Sequence, residues 1–200
     1  MDSSQSELIT VSLHPNTDAQ RRRGSENPTL DLYDLLIAIY IAIPTYVANA
    51  TPVLLGGGAP IDRGRRFIDG QPILGTHKTV KGFSYGLLCG SAASFAEAIL
   101  FSNPLLVLGG IAASLGALLG DLFGAFLKRR LNIPPGNPLP IVDQLGFILV
   151  ALLFASPVLN VTVGLNVTVG AVFILVIATM PIHLLSNVAA YLLRLKKRLW

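Results

Sequence analysis

Residues 120–147 read GDLFGAFLKRRLNIPPGNPLPIVDQLGF. The stretch starts at the end of one long apolar run and finishes at the start of the next. Between the runs stand Lys128, Arg129 and Arg130, then Pro134, Pro135, Pro138 and Pro140. Adjacent cations mark a membrane boundary, and closely spaced prolines do not continue a helix. The stretch therefore predicts two membrane helices joined by a short, stiff, basic connection. It also poses a problem, because Asp121 and Asp143 lie at the edges of the apolar runs. An aspartate deep in lipid costs about 2.5–3.5 kcal/mol on insertion scales, so such residues face a partner or water.

The rest of the chain extends this reading. Of 200 residues, 52% are hydrophobic and 13% charged, against about 25% charged in a soluble domain. Apolar runs of about 20 residues are long enough to cross a bilayer. They lie at 30–55, 83–101, 105–127, 139–155 and 167–193. The predicted fold is all-α: a polytopic membrane protein with five transmembrane helices. The fourth run is short and the fifth long, which predicts tilt or a break, and Pro44 and Pro181 predict kinks. Residues 1–29 are polar and mixed in charge, and read as a disordered tail ahead of one membrane domain, 30–200. Cys89 lies inside a run and reads as a small packing residue.

The cations orient the bundle. Arg63, Arg65, Arg66, Lys78 and Lys81 fall in the loop 56–82, and Lys128, Arg129 and Arg130 in the loop 128–138. Arg194, Lys196, Lys197 and Arg198 follow the fifth run. All three sets lie on one side, predicted to be cytoplasmic together with the C-terminus, with the N-terminus outside. Arg21, Arg22 and Arg23 are the exception.

Asp121 and Asp143 are then at similar depth near the cytoplasmic ends of neighbouring helices. Two carboxylates there repel unless a cation lies between them, and Mg²⁺ commonly takes one or two carboxylates plus water and phosphate oxygens. Lys128, seven residues after Asp121, projects from the same helix face and suits a phosphorylated ligand. The alternative is a structural ion pair with a nearby arginine. Glu97, a third intramembrane acid, sits toward the outer side and is expected to hydrogen-bond within the bundle.

The loop 56–82 is rich in Gly and Pro and predicts an ordered series of turns. Glycine backbone at Gly57 and Gly58 can approach phosphates, and Lys78, Lys81 and Arg66 can balance their charge, with Asp62 as a further candidate. Asn49 and Pro52, where the first helix gives way to the loop, are expected to line the same pocket. Topology or anionic headgroups alone also explain such a basic loop, and His77 is as readily a bystander as a ligand or base. Gly116, Gly120 and Gly124 form a small-residue stripe that permits close helix packing. Phe123, Phe126 and Phe147 stand beside it and flank the two aspartates. Asn160 and Asn166 fit the N-x-[ST] pattern, which is common by chance.

The loop sequence GRRFIDGQPILGTHKTVKG, 64–82, together with 120–144, resembles CTP-dependent phosphatidate cytidylyltransferases. The likeness is to their archaeal branch, the CDP-archaeol synthases, and covers roughly 30–200. Lys78-Thr79-Val80-Lys81-Gly82 is similar to that family's Lys-Thr-x-Glu-Gly segment. Lys128-Arg129 fits its Lys-Arg pair, and Asp143 fits the Asp of its Asp-Arg pair. The resemblance adds Thr79, Gly82 and Arg129 to the nucleotide contacts. The acidic set is reduced relative to the bacterial signature. Lys81 replaces a Glu, Pro134-Pro135 a Lys-Asp, Gln144 an Arg and Gly146 an Asp, and the His-Gly-Gly is missing. Asp121 and Asp143 would then carry the metal, with Lys128 beside them at the reacting phosphate.

The resemblance implies transfer of CMP from CTP to an isoprenoid ether-lipid phosphate, digeranylgeranylglyceryl phosphate, giving CDP-archaeol and pyrophosphate with Mg²⁺. The implied partners are CTP, the lipid phosphate and the bilayer, with no nucleic acid. A small cation transporter or channel subunit is the rival reading, since intramembrane acids and kinked helices also fit an ion path. The Asp-Gly-x-x-Ala-Arg pattern of CDP-alcohol phosphotransferases is absent.

Overall fold

The structure, a computed structural model, describes residues 30–134, 137, 139–192 and 194. The N-terminal tail, Pro135, Pro138 and the terminal cations Lys196, Lys197 and Arg198 lie outside the described residues.

Five helices make the fold: α1 Leu32–Leu55, α2 Val80–Leu100, α3 Leu106–Arg130, α4 Pro140–Val163 and α5 Val169–Leu192. All five are long and apolar enough to span a membrane, and no strand accompanies them among the described residues. The ends follow local chemistry. Asp31 caps α1, accepting from Asp34 N at 2.8 Å, while Asp34 Oδ2 accepts from Asp31 N in return. Thr79 caps α2 through Gly82 N at 3.1 Å. Pro140 opens α4, and Gly164, in the left-handed region at φ 68, closes it.

Several boundaries differ from the sequence expectation. The cap at Thr79 starts α2 at Val80 instead of 83, so the loop ends at residue 79. Lys128, Arg129 and Arg130 form the last turn of α3 and not a loop, where cations complement the helix dipole. The fourth helix is not short. Pro157 lies inside it, and α4 runs on to the glycine stop, making α4 and α5 equal at 24 residues each. Most of the expected outer loop is therefore helix.

The helices pack through small residues. α3 lies between α2 and α4, which do not touch, and α1 contacts all four others. The core is built from Ile37, Tyr40 and Ile41 of α1, Ala113 and Ala117 of α3, and Ile148, Ala151 and Leu159 of α4, closed by Leu175 of α5. The glycine stripe of α3 meets backbone on α4. A Cβ at Gly116 would lie 2.6 Å from Val150 O, and one at Gly120 would lie 2.7 Å from Gly146 O. Gly124 is looser, facing Val142 Cγ1 at 3.2 Å. The stripe thus sets the α3–α4 spacing that carries Asp121 and Asp143.

Glu97 departs from expectation. It is buried in α2, yet neither carboxyl oxygen has a hydrogen-bond partner among the described residues. Nearby hydroxyls are committed elsewhere: Tyr40 Oη donates to Leu106 O, and Ser94 Oγ to Val107 O.

Candidate active site

The loop between α1 and α2 is ordered from its base upward. Ile61 N donates to Lys78 O at 2.8 Å and Val80 N to Ala59 O at 3.1 Å, joining its two ends. A second pairing, Phe67 N to Gln71 O at 2.8 Å and Ile73 N to Arg65 O at 3.2 Å, makes a hairpin at its tip. Gly70 (φ 76) turns that hairpin, and Gly75 (φ 96) turns the returning chain; both need the freedom that glycine has. Asp62 joins the two pairings. Its buried carboxylate accepts from Gly64 N at 3.0 Å, Leu74 N at 2.9 Å and Gly75 N at 3.0 Å. Burial pushes its pKa up, but the backbone N–H groups outweigh that and hold it below the usual carboxylate range. A depressed folded-state pKa means this stabilisation is present above the ordinary aspartate pKa and is lost as pH falls through the lowered value.

That framework delivers Lys78 to α3. Lys78 Nζ donates to both oxygens of Asp121, at 2.7 and 2.6 Å. One neighbouring cation serves Asp143: Lys128 Nζ donates to Asp143 Oδ1 at 2.7 Å. Asp143 Oδ2 accepts from Leu139 N at 2.9 Å, at the N-terminus of α4, where the helix dipole favours an anion. Arg129 is buried within electrostatic reach of Asp143, and its Nε has no partner among the described residues. The two carboxylates are thus ion-paired, but with lysines and not with the arginine of the alternative reading. With Arg129, three cations face two carboxylates, a surplus that suits a polyphosphate.

The other expected residues divide. Thr79 Oγ1 accepts from Gly57 N at 3.3 Å as well as from Gly82 N. A Cβ at Gly82 would meet Pro52 Cβ at 3.2 Å and Gly56 Cα at 3.4 Å. Pro52, Gly57, Thr79 and Gly82 therefore meet where α1 ends and α2 begins, beside Lys78. Asn49 is half-buried one turn earlier on α1, and Gly58 is exposed in the turn after it. Among the described residues, no contact brings Arg66 or Lys81 into the cluster. Arg66 donates to Gly70 O at 2.7 Å within its own hairpin, and Lys81 Nζ lies 5.7 Å over the Tyr85 ring. His77 is exposed. Of the three phenylalanines, Phe147 is buried in the core and Phe126 packs edge-on against Phe67 at 5.4 Å. Only Phe123 is exposed.

Sequence reasoning used Arg130 only to orient the bundle and passed over Asp69, Gln71 and Asn132. Arg130 Nη1 pairs with Asp69 Oδ1 at 3.0 Å, its Nη2 donates to Pro72 O at 2.6 Å, and Gln71 Nε2 donates to Asn132 Oδ1 at 3.0 Å. One signal was available: Phe126 and Arg130 are four apart and so share a helix face.

The family of these parts follows from comparison. The sequence family described as CDP-archaeol synthase (CarS-like) matches residues 30–200. This chain belongs to that family. A CDP-archaeol synthase of Methanococcus aeolicus is 42% identical over 183 residues, covering 84% of this chain and 98% of the relative. That of Hyperthermus butylicus is 45% identical over 169 residues, covering 82% and 96%. That of Pyrococcus furiosus is 41% identical over 173 residues, covering 84% and 100%. A solved structure described as an intramembrane enzyme for archaeal membrane lipids biosynthesis is 40% identical, with a TM-score of 0.68 over 76% of this chain and 92% of that one.

Proposed function

We propose that residues 30–200 form a membrane-embedded CTP:lipid-phosphate cytidylyltransferase whose acceptor is an unsaturated isoprenoid ether-lipid phosphate, digeranylgeranylglyceryl phosphate, yielding CDP-archaeol and pyrophosphate. The observation that carries this reading is the pair of aspartate–lysine contacts at the basic end of the bundle, in a chain of this family. Family membership sets aside the transporter or channel reading. The basic end is assigned to the cytoplasm with the C-terminus, and the N-terminus to the outside, because the cations gather there.

The residues fit a magnesium ion held by Asp121 and Asp143. Their donors are hard carboxylate oxygens, and each carboxylate has about four lone-pair sites, more than its present partners use. No group of three or more His, Cys, Asp or Glu side chains converges among the described residues. Water and phosphate oxygens would complete the shell, as is usual for Mg²⁺. When bound, the ion supplies charge neutralisation at the triphosphate.

The chain's own groups do the rest. A lipid-phosphate oxygen attacks the α-phosphorus of CTP, the α–β bridging bond breaks, and pyrophosphate leaves. The attacking oxygen is already an anion, so no base is required. Lys78, Lys128 and Arg129 bring the two anions together and stabilise charge on the reacting and leaving oxygens. α2 and α4 flank α3 without touching, which supports lateral access for a lipid whose chains stay in the bilayer while CTP arrives from water.

The assay is pyrophosphate release by purified protein from CTP with digeranylgeranylglyceryl phosphate. Release should need both substrates and Mg²⁺. Turnover of phosphatidate with none of the ether-lipid phosphate would overturn the assigned acceptor. Lys78→Ala should raise the KM for CTP about tenfold or more, the loss of a charge-assisted contact. Unchanged CTP dependence would remove Lys78 from the nucleotide site.

A further inference from the structure

We infer that Arg130, through its grip on the hairpin 65–73, is a positioning residue that sets where Lys78 meets Asp121. The inference rests on the reading of Lys78 and Asp121 as part of the reacting site. The guanidinium carbon of Arg130 lies 4.7 Å from the Phe67 ring centre and 4.8 Å from that of Phe126. Its two terminal nitrogens hold Asp69 Oδ1 and Pro72 O at 3.0 and 2.6 Å. One side chain therefore makes cation–π contact with two rings and binds two loop oxygens. The flat, forked guanidinium allows both at once, and an ammonium does not.

The geometry explains why this reaches the site. Arg130 and Asp121 stand on the same helix, nine residues or about 14 Å apart along its axis. The chain from Pro72 to Lys78 links a contact with each of them. This strap turns at Gly75. Its contacts run from Pro72 O on Arg130 and Ile73 N on Arg65 O, through Leu74 N and Gly75 N on Asp62, to Lys78, whose carbonyl accepts from Ile61 N and whose Nζ holds Asp121. Releasing the Arg130 end lets the hairpin lift from α3 and gives the strap slack. Lys78 then leaves Asp121 more often, although neither residue has changed.

Steady-state kinetics in lipid nanodiscs test this with Arg130→Ala, Arg130→Lys, Lys78→Ala and the double variant Arg130→Ala/Lys78→Ala. Arg130→Ala should raise the KM for CTP about tenfold while kcat falls less than about threefold, a loss of binding more than of chemistry. Arg130→Lys should recover only part of the loss, since it keeps the charge but not the fork. The double variant should be no worse than Lys78→Ala, because both act through one contact. Multiplying effects in the double variant, or a normal KM in Arg130→Ala while Lys78→Ala is impaired, would overturn the inference. Normal CTP kinetics in Lys78→Ala would overturn the site reading and the inference with it. If Arg130→Ala does not fold, Asp69→Asn and Phe67→Leu loosen the grip from the loop side. Each should shift KM the same way by a smaller factor, and wild-type KM in both would equally overturn it.

Discussion

Asp121→Asn and Asp143→Asn should each lower CMP transfer by about 10²–10³-fold, the scale seen when one electrostatic stabiliser of a transition state is removed. Both proteins should still insert and fold. The amide is close to isosteric with the carboxylate, and neither aspartate belongs to the buried core. Each substitution also strands a lysine that the carboxylate holds at 2.6–2.7 Å. The Asp143 change carries a second cost, because Asp143 also accepts from Leu139 N at the start of α4; some loss of order there should accompany it. Activity measured at saturating Mg²⁺ with wild-type melting behaviour is the check. Near-normal turnover in either variant removes that residue from the reacting site.

Gly120→Leu should be the most damaging change on the helix stripe. A Cβ there would lie 2.7 Å from Gly146 O and 2.8 Å from Phe147 Cα. These are backbone atoms of a packed helix and cannot rotate aside. Overpacking a core usually costs about 1–3 kcal/mol, and a leucine set against backbone should reach or exceed the upper end. Relief requires α3 and α4 to separate, which also separates Asp121 from Asp143. Melting temperature and turnover should therefore fall together. Gly124→Leu meets a valine methyl at 3.2 Å and should be the milder of the two. A Gly120→Leu protein that melts and turns over like wild type would show that this contact does not set the carboxylate spacing.

The five spans were legible because apolar runs of bilayer length leave few alternatives. Asp121 and Asp143 were legible as a pair because acids are rare at such depth. The contacts they make were not. Lys78 reaches Asp121 from 43 residues away, through a loop whose path depends on Asp62 and two glycine turns. Nothing in residue spacing separates Lys78, which arrives, from Arg66 and Lys81, which the structure leaves on their own hairpin and over Tyr85. The fourth apolar run was read as ending at residue 155, yet its helix continues through Pro157 to the stop at Gly164, because a membrane helix tolerates proline where packing is good. Glu97 was expected to find a partner, and the hydroxyls near it were already committed to backbone carbonyls.

In the proposed reaction Asp121 and Asp143 would hold a divalent ion against the CTP phosphates. Iron-directed cleavage tests it most directly: Fe²⁺ replaces Mg²⁺ in the purified protein, ascorbate and peroxide are added, and the backbone is cut beside the metal. CTP-dependent cuts near residues 121 and 143 are expected, both lost in Asp121→Asn. Cuts elsewhere in the chain, or cuts at these positions that survive Asp121→Asn unchanged, would contradict it.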